Sequence, residues 1–163
     1  PAAYHNAHAH VKEGRAIGRI KTSRQDLELM ARLMRAEAEG EGDLGMLMVG
    51  NVITNRVYAN CAEFQGLRSV QDIINRDLAN QCRTGFEAVC NPYFWQGARE
   101  RDIRLAERNA RGERQHPATF ALWFHKPPGQ ACPATWWGRP LAGQYKNHCF
   151  YLADAQVCPR VFY

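Results

Sequence analysis

Arg35-Ala36-Glu37-Ala38-Glu39-Gly40-Glu41-Gly42 joins the end of an amphipathic segment to the start of an almost wholly apolar one, and it carries three carboxylates. Upstream, Leu27, Met30, Ala31 and Met34 recur at the i, i+3, i+4, i+7 spacing of a buried helical stripe, and the next positions on it are Glu37 and Ala38. Glu28, Arg32, Arg35 and Glu39 follow the same spacing on the opposite side with mixed charge, as a solvated face does. Glu37 therefore stands on the apolar side and Glu39 on the wet one. A carboxylate held against apolar surface keeps its proton nearer neutrality, as a general acid must. The same position also suits a carboxylate paired with a buried arginine, because structural ion pairs perturb pKa values too.

Ser23, with Asp26 three residues on, forms a relative of the capping box. The first helix is thus expected over 24–39, with Gly40 as its C′ residue. Gly42-Asp43 restarts a helix that runs to about Tyr58. Leu44, Met46, Leu47, Met48, Val49, Val52, Ile53 and Val57 leave it almost no polar face, which predicts the buried centre of the fold. Asn51 and Asn55 lie on this helix either as structural clamps or as substrate contacts rimming a cleft, since a buried amide needs partners. Asn55 is carried forward as a candidate substrate contact.

Farther on, Ser69 caps a short helix over 70–78, residues 79–93 read as an irregular loop, and a helix of alternating charge spans 98–110 before Gly112. From Pro117 the pattern changes. Residues 118–125 form a strand candidate broken by Pro127-Pro128-Gly129, residues 149–152 form another, and an aromatic loop at Trp136-Trp137-Gly138 lies between them. Helices first and strands later predict an α+β domain. Residues 1–22 read as a flexible terminal arm ahead of a domain over 23–163; His5, His8 and His10 within it suit a mobile arm better than a metal clip.

A chain of 163 residues has the length of a single domain. No apolar run reaches the length of a membrane span, and the first residues lack the basic and apolar regions of a secretory signal. The net charge of +5 is carried mostly by arginine, with lysine only at 12, 21, 126 and 146. Such a balance suits a nucleic acid or a polymer rich in carboxylates. No basic-aromatic pattern favours nucleic acid, and the acidic Gly40-Glu41-Gly42 would repel phosphate. Six cysteines, at 61, 82, 90, 132, 149 and 158, form no Cys-x-x-Cys, so neither a zinc site nor another cofactor is expected. They are either buried thiols or bridges formed in an oxidising layer, with Cys82/Cys90 and Cys149/Cys158 as the near pairs. Trp136 and Trp137, flanked by Pro and Gly, are candidates for the wall of a sugar-binding site, whereas Trp123 suits core packing. His125 and His148, at strand edges, either assist catalysis or cap a network.

The stretch 35–41, followed by Gly45, Gly50-Asn-Val and Asn55-Arg56, resembles the signature of the SleB/CwlJ cell-wall hydrolases, which degrade spore-cortex peptidoglycan during germination. The resemblance continues through Gly85-Phe-Glu-Ala-Val89, Ala121-Leu-Trp-Phe124, Cys132-Pro-Ala-Thr-Trp-Trp137 and Tyr145-Lys-Asn-His-Cys-Phe-Tyr151, and is closer to the CwlJ branch. It implies a lysozyme-like α+β domain that cuts between N-acetylmuramic acid and N-acetylglucosamine as a lytic transglycosylase. Glu37, the first glutamate of the Glu-Ala-x-Gly-Glu motif, is the implied catalytic residue, acting alone as acid and then base. A hydrolytic glycosidase, with Glu41 as the nearest second carboxylate, and a non-catalytic glycan-binding spore-coat protein are the alternatives. Glu41 suits the capping of the second helix as well as a place in the groove. Phe86, Trp136, Trp137 and His148 are expected to line the glycan groove, with arginines meeting the carboxylates of peptide stems. The implied setting is the boundary of spore coat and cortex, after synthesis in the mother-cell cytosol without a signal peptide. Oxidation there would be late, and a coat protein is a further expected partner. Residues 75–85 are longer than the family pattern and add Cys82, which bears on the cleft wall and not on Glu37.

Overall fold

The computed structural model of the chain describes residues 18–129 and 131–163. Helix α1 (Arg24–Ala38) begins as the sequence predicts: the Ser23 side chain accepts from the Asp26 amide at 3.0 Å, and the Asp26 carboxylate accepts from the Ser23 amide at 3.1 Å. Asp26 does more than a capping residue usually does. It is buried, and its other oxygen accepts from the Gln71 amide at 3.1 Å, at the start of helix α3 (Val70–Ala79). Leu29, Met30, Leu33 and Met34 pack inward from α1, so the stripe read from spacing is the core face.

Gly40 does not end the first helix as a C′ residue. The chain passes directly into a 3-10 turn, Glu39–Glu41, and the left-handed backbone falls on Gly42, at φ +80°. Helix α2 (Gly42–Ala59) then runs through the middle of the molecule, with Met46 to Val57 buried on all sides. Gly50 on α2 is a close-approach site: a Cβ there would lie 2.0 Å from the Asn109 side-chain oxygen, on helix α4 (Glu100–Arg111). Asn109 uses the gap to donate to the Leu47 carbonyl at 2.9 Å. The four helices share one apolar cluster, which Phe86, Val89 and Phe94 join from the 3-10 turns Glu87–Cys90 and Pro92–Trp95. Those turns occupy the segment expected as an irregular loop.

The C-terminal third is an antiparallel sheet of order β1-β4-β3-β2, with β1 Trp123–His125, β2 Thr135–Trp136, β3 Arg139–Tyr145 and β4 His148–Tyr151. The first strand is much shorter than the expected 118–125 because Ala118 and Ala121 serve as the carbonyls of a turn. Strand β3 occupies a stretch for which no element is expected from the sequence, and a bulge falls between Leu141 and Gly143. The aromatic segment at 136–138 is the end of a hairpin, with Trp136 paired to Arg139. A second apolar cluster of Phe64, Leu122, Trp123, Tyr151 and Val161 lies under this sheet.

Three disulfides close the fold. Cys82–Cys90 forms as the near pair, but Cys149 bridges to Cys132 and Cys158 to Cys61, so the expected Cys149/Cys158 pair is corrected. Cys149 lies within β4, beside the loop ahead of β2, whereas the chain after β4 leaves the sheet and returns to the end of α2. Residues just ahead of position 23 also pack on the helices. Ile20 is buried in the core, and the Arg19 amide donates to the Ala110 carbonyl at 2.7 Å. His5, His8 and His10 lie outside the described residues. Among the described residues no helix is long and apolar enough to cross a membrane, and no group of three His, Cys, Asp or Glu side chains is placed to hold a metal.

Candidate active site

Glu37 ends up in the last turn of α1, at the meeting of two depressions. The larger, about 530 Å³, is lined by Ala36, Glu37, Arg56, Phe86, Phe124, Trp136 and His148 among others. The second, about 500 Å³, runs from Glu37 and Glu87 along Ala88, Cys90, Asn91 and Pro92. The carboxyl group thus stands between two lobes of one groove. Burial pushes it up to about 7. A backbone hydrogen bond from Ala88 and the positive charges of Arg56 and Lys126 pull the other way, and the Glu87 carboxylate adds to the rise. A group with this pKa exists as both acid and base at neutral pH, so it can give up a proton and take one back.

Arg56 forms the base of the groove. Its guanidinium lies between the rings of Phe64 and Phe86, 4.6 and 4.3 Å from their centroids, and its Nε donates to the Leu122 carbonyl at 2.8 Å. Burial lowers its pKa to about 10, opposed by the carboxylates of Asp77 and Glu63, so it keeps its charge at neutrality. The buried-arginine alternative for Glu37 is therefore present as a neighbour, and it is too weak to hold the carboxyl in the usual carboxylate range. Asp77, fully buried, accepts from the Phe86 amide at 3.0 Å and so fixes the wall that carries this ring.

His148 lines the larger lobe from β4. Its Nδ1 lies 2.7 Å from a Glu41 oxygen, and both side chains are buried. Glu41 therefore does not cap α2 through its side chain. The turn out of α1 directs it under the groove, where it orients the imidazole through Nδ1, and among the described residues no hydrogen bond engages Nε2. Gly45 makes the seat: a Cβ there would meet the Glu41 Cβ at 2.7 Å.

The other expected residues divide. Phe86 and Trp136 are in the groove, Trp136 stacked on His125 with centroids 4.6 Å apart. Trp137 is outside it, at the hairpin tip. Asn55 is wholly buried away from the groove: its amide nitrogen faces the carbonyls of Ala118, Thr119 and Ala121, and its oxygen accepts from Arg19 at 3.0 Å. It is a clamp between α2 and the chain entering the sheet, which corrects its candidacy as a substrate contact. Asn55→Ala should lower stability by about 2 kcal/mol, because several buried carbonyls lose their donor. Chemical denaturation of the variant reads this directly, with KM for the substrate unchanged.

Glu39 lies outside the groove and is half-exposed, in a cluster with Tyr93, Arg35 and Arg99. Arg56, Glu87, Phe124 and Lys126 were not singled out from the sequence. Arg56 had a signal, as a charged residue on a helix with almost no polar face. Glu87 and Phe124 fall within motifs that carry the family resemblance, without a role assigned to them, and Lys126 had no signal.

A model of the family described as "Cell Wall Hydrolase" matches residues 40–151. The chain belongs to this family. The match begins after Glu37, so it is silent on that residue. Among curated relatives, cell wall hydrolase CwlJ of Oceanobacillus iheyensis is 52% identical over 143 residues, covering 88% of this chain and 97% of the relative. CwlJ of Halalkalibacterium halodurans is 50% identical and that of Bacillus subtilis 47%, each over 88% of this chain and 96% of the relative. The catalytic domain of the germination-specific lytic transglycosylase SleB from Bacillus anthracis aligns with a TM-score of 0.59 at 22% identity, over 80% of this chain and 96% of that domain. At that identity the likeness speaks for the fold, helices first and a small sheet after, which this cell-wall hydrolase shares. The chain is a cell-wall-degrading enzyme.

Proposed function

We propose that this cell-wall hydrolase cuts spore-cortex peptidoglycan during germination, between N-acetylmuramic acid and N-acetylglucosamine, as a lytic transglycosylase with Glu37 as its acid and base. The observation that carries the reading is a carboxyl group of pKa about 7 at the junction of two groove lobes. A glycosidic bond has a sugar on each side, and a groove with the proton donor midway accommodates both. Protonated Glu37 donates to the glycosidic oxygen as the bond from muramoyl C1 breaks. The resulting carboxylate takes the proton of the muramoyl 6-hydroxyl as O6 bonds to C1, closing an anhydro ring and restoring the acid. No water is consumed. The germination-specific neighbour and the CwlJ relatives support a cell-wall role in germination; the coat–cortex boundary and a coat-protein partner belong to the same proposal. The arginine-rich surface suits the carboxylates of the stem peptides.

Mass spectrometry of muropeptides released from purified cortex tests the chemistry. Products ending in anhydro-muramic acid are expected; reducing ends would mean that water is the acceptor and the enzyme a muramidase or glucosaminidase. Absence of any release would leave a glycan-binding protein. The pH profile follows from the acid role. The initial rate should fall about tenfold per pH unit above roughly 7, as the proton needed for donation is lost.

A further inference from the structure

Strands β2 and β3 are joined by two residues, Trp137 and Gly138, with φ of +53° and +76°. Positive φ at both central positions is the geometry of a primed hairpin turn, which favours Asn, Asp or Gly at the first of them. A bulky aromatic residue there is strained. Trp137 is also 81% exposed, and no ring, cation or hydrogen-bonding group of the described residues engages its indole. Neither turn chemistry nor packing accounts for tryptophan at this place. What the position does offer is continuity: the preceding residue, Trp136, is a wall of the larger groove lobe and is stacked on His125.

We infer that Trp137 is an outer sugar subsite, an aromatic platform on which a pyranose ring of the glycan strand lies after leaving the groove. The inference rests on the glycan reading of that groove. A polymer bound beside Glu37 continues past the rim, and the flat CH face of a sugar matches an exposed indole. The platform holds long strands and is out of use when the ligand ends within the groove.

Binding measured in the Glu37→Gln background separates this from catalysis. Trp137→Asn places a turn-favoured residue at the tip, so its melting temperature should equal or exceed that of the parent. Its affinity for long-strand cortex glycan should nevertheless fall about fivefold, the scale of a lost aromatic contact. Affinity for a tetrasaccharide muropeptide should be unchanged, and Trp137→Phe should retain most of the long-strand affinity. Unaltered long-strand binding in Trp137→Asn would overturn the subsite, as would an equal loss on the tetrasaccharide. An active Glu37→Gln enzyme would instead remove the catalytic assignment and leave the binding comparison standing.

Discussion

Glu37→Gln should abolish release of cortex fragments while folding normally. Removing a positioned acid and base costs roughly 10²- to 10⁴-fold in rate, and glutamine can neither donate the proton nor accept one from O6. The substitution preserves shape, so a structural explanation of lost activity can be tested separately by thermal denaturation. The sign of that second measurement is itself informative. A carboxyl group whose pKa is about 7 in the folded chain and near 4.5 in the unfolded one binds more protons in the native state between those values. Stability therefore falls as pH rises through this window, and above about pH 7 the wild type carries the full penalty of a desolvated charge. Glutamine carries none. The variant should be inactive and, at pH 8, more stable than wild type by on the order of 1–3 kcal/mol. Near-wild-type release by Glu37→Gln would refute the assignment. Glu39→Gln is the control, since Glu39 lies outside the groove in a half-exposed ion cluster.

Replacing both Cys61 and Cys158 with alanine should be the most destabilising of the three disulfide deletions. The bridge spans 97 residues, against 17 for Cys132–Cys149 and 8 for Cys82–Cys90. On the chain-entropy account a loop of this size contributes about 4.7 kcal/mol, compared with about 2.5 for the shortest. For a chain of this length the difference between wild type and the Cys61/Cys158 variant corresponds to a fall of roughly 10 °C or more in melting temperature. A ranking in which Cys82/Cys90 deletion costs the most would show that native packing around the loop, and not chain closure, controls disulfide stabilisation here.

The helical half was legible because each helix carries its own periodicity and punctuation: Ser23 and Asp26, Ser69, and Gly112 in the left-handed conformation that closes α4. The desolvated position of Glu37 was legible for the same reason, as a carboxylate in phase with Leu27, Met30 and Met34. The sheet was harder to read. Strand β3 contains Pro140 and Gly143, which count against a strand, although both its partners, β2 and β4, are its neighbours along the chain. The Cys61–Cys158 bridge and the Glu41–His148 contact depend on separations of 97 and 107 residues, which no local pattern encodes. Asn55 illustrates a different difficulty. A buried amide on a central helix is equally suited to a clamp and to a ligand contact until the three carbonyls beside it are known.

Asp26 joins the starts of α1 and α3 through a single carboxylate, one oxygen for each helix. One of these helices ends at the Glu37 turn, and the other leads to the Asp77-anchored loop that carries Phe86. The jaw holding the acid and the jaw opposite it are therefore bolted at a common hinge pin and behave as a fixed frame. The hairpin of β2 and β3, which brings Trp136 to the groove, is held as well: Trp136 stacks on His125, and Arg139 pairs with Glu63 at 3.2 Å and lies 3.8 Å over the Trp123 ring. Both sides of the mouth are therefore braced before any ligand arrives.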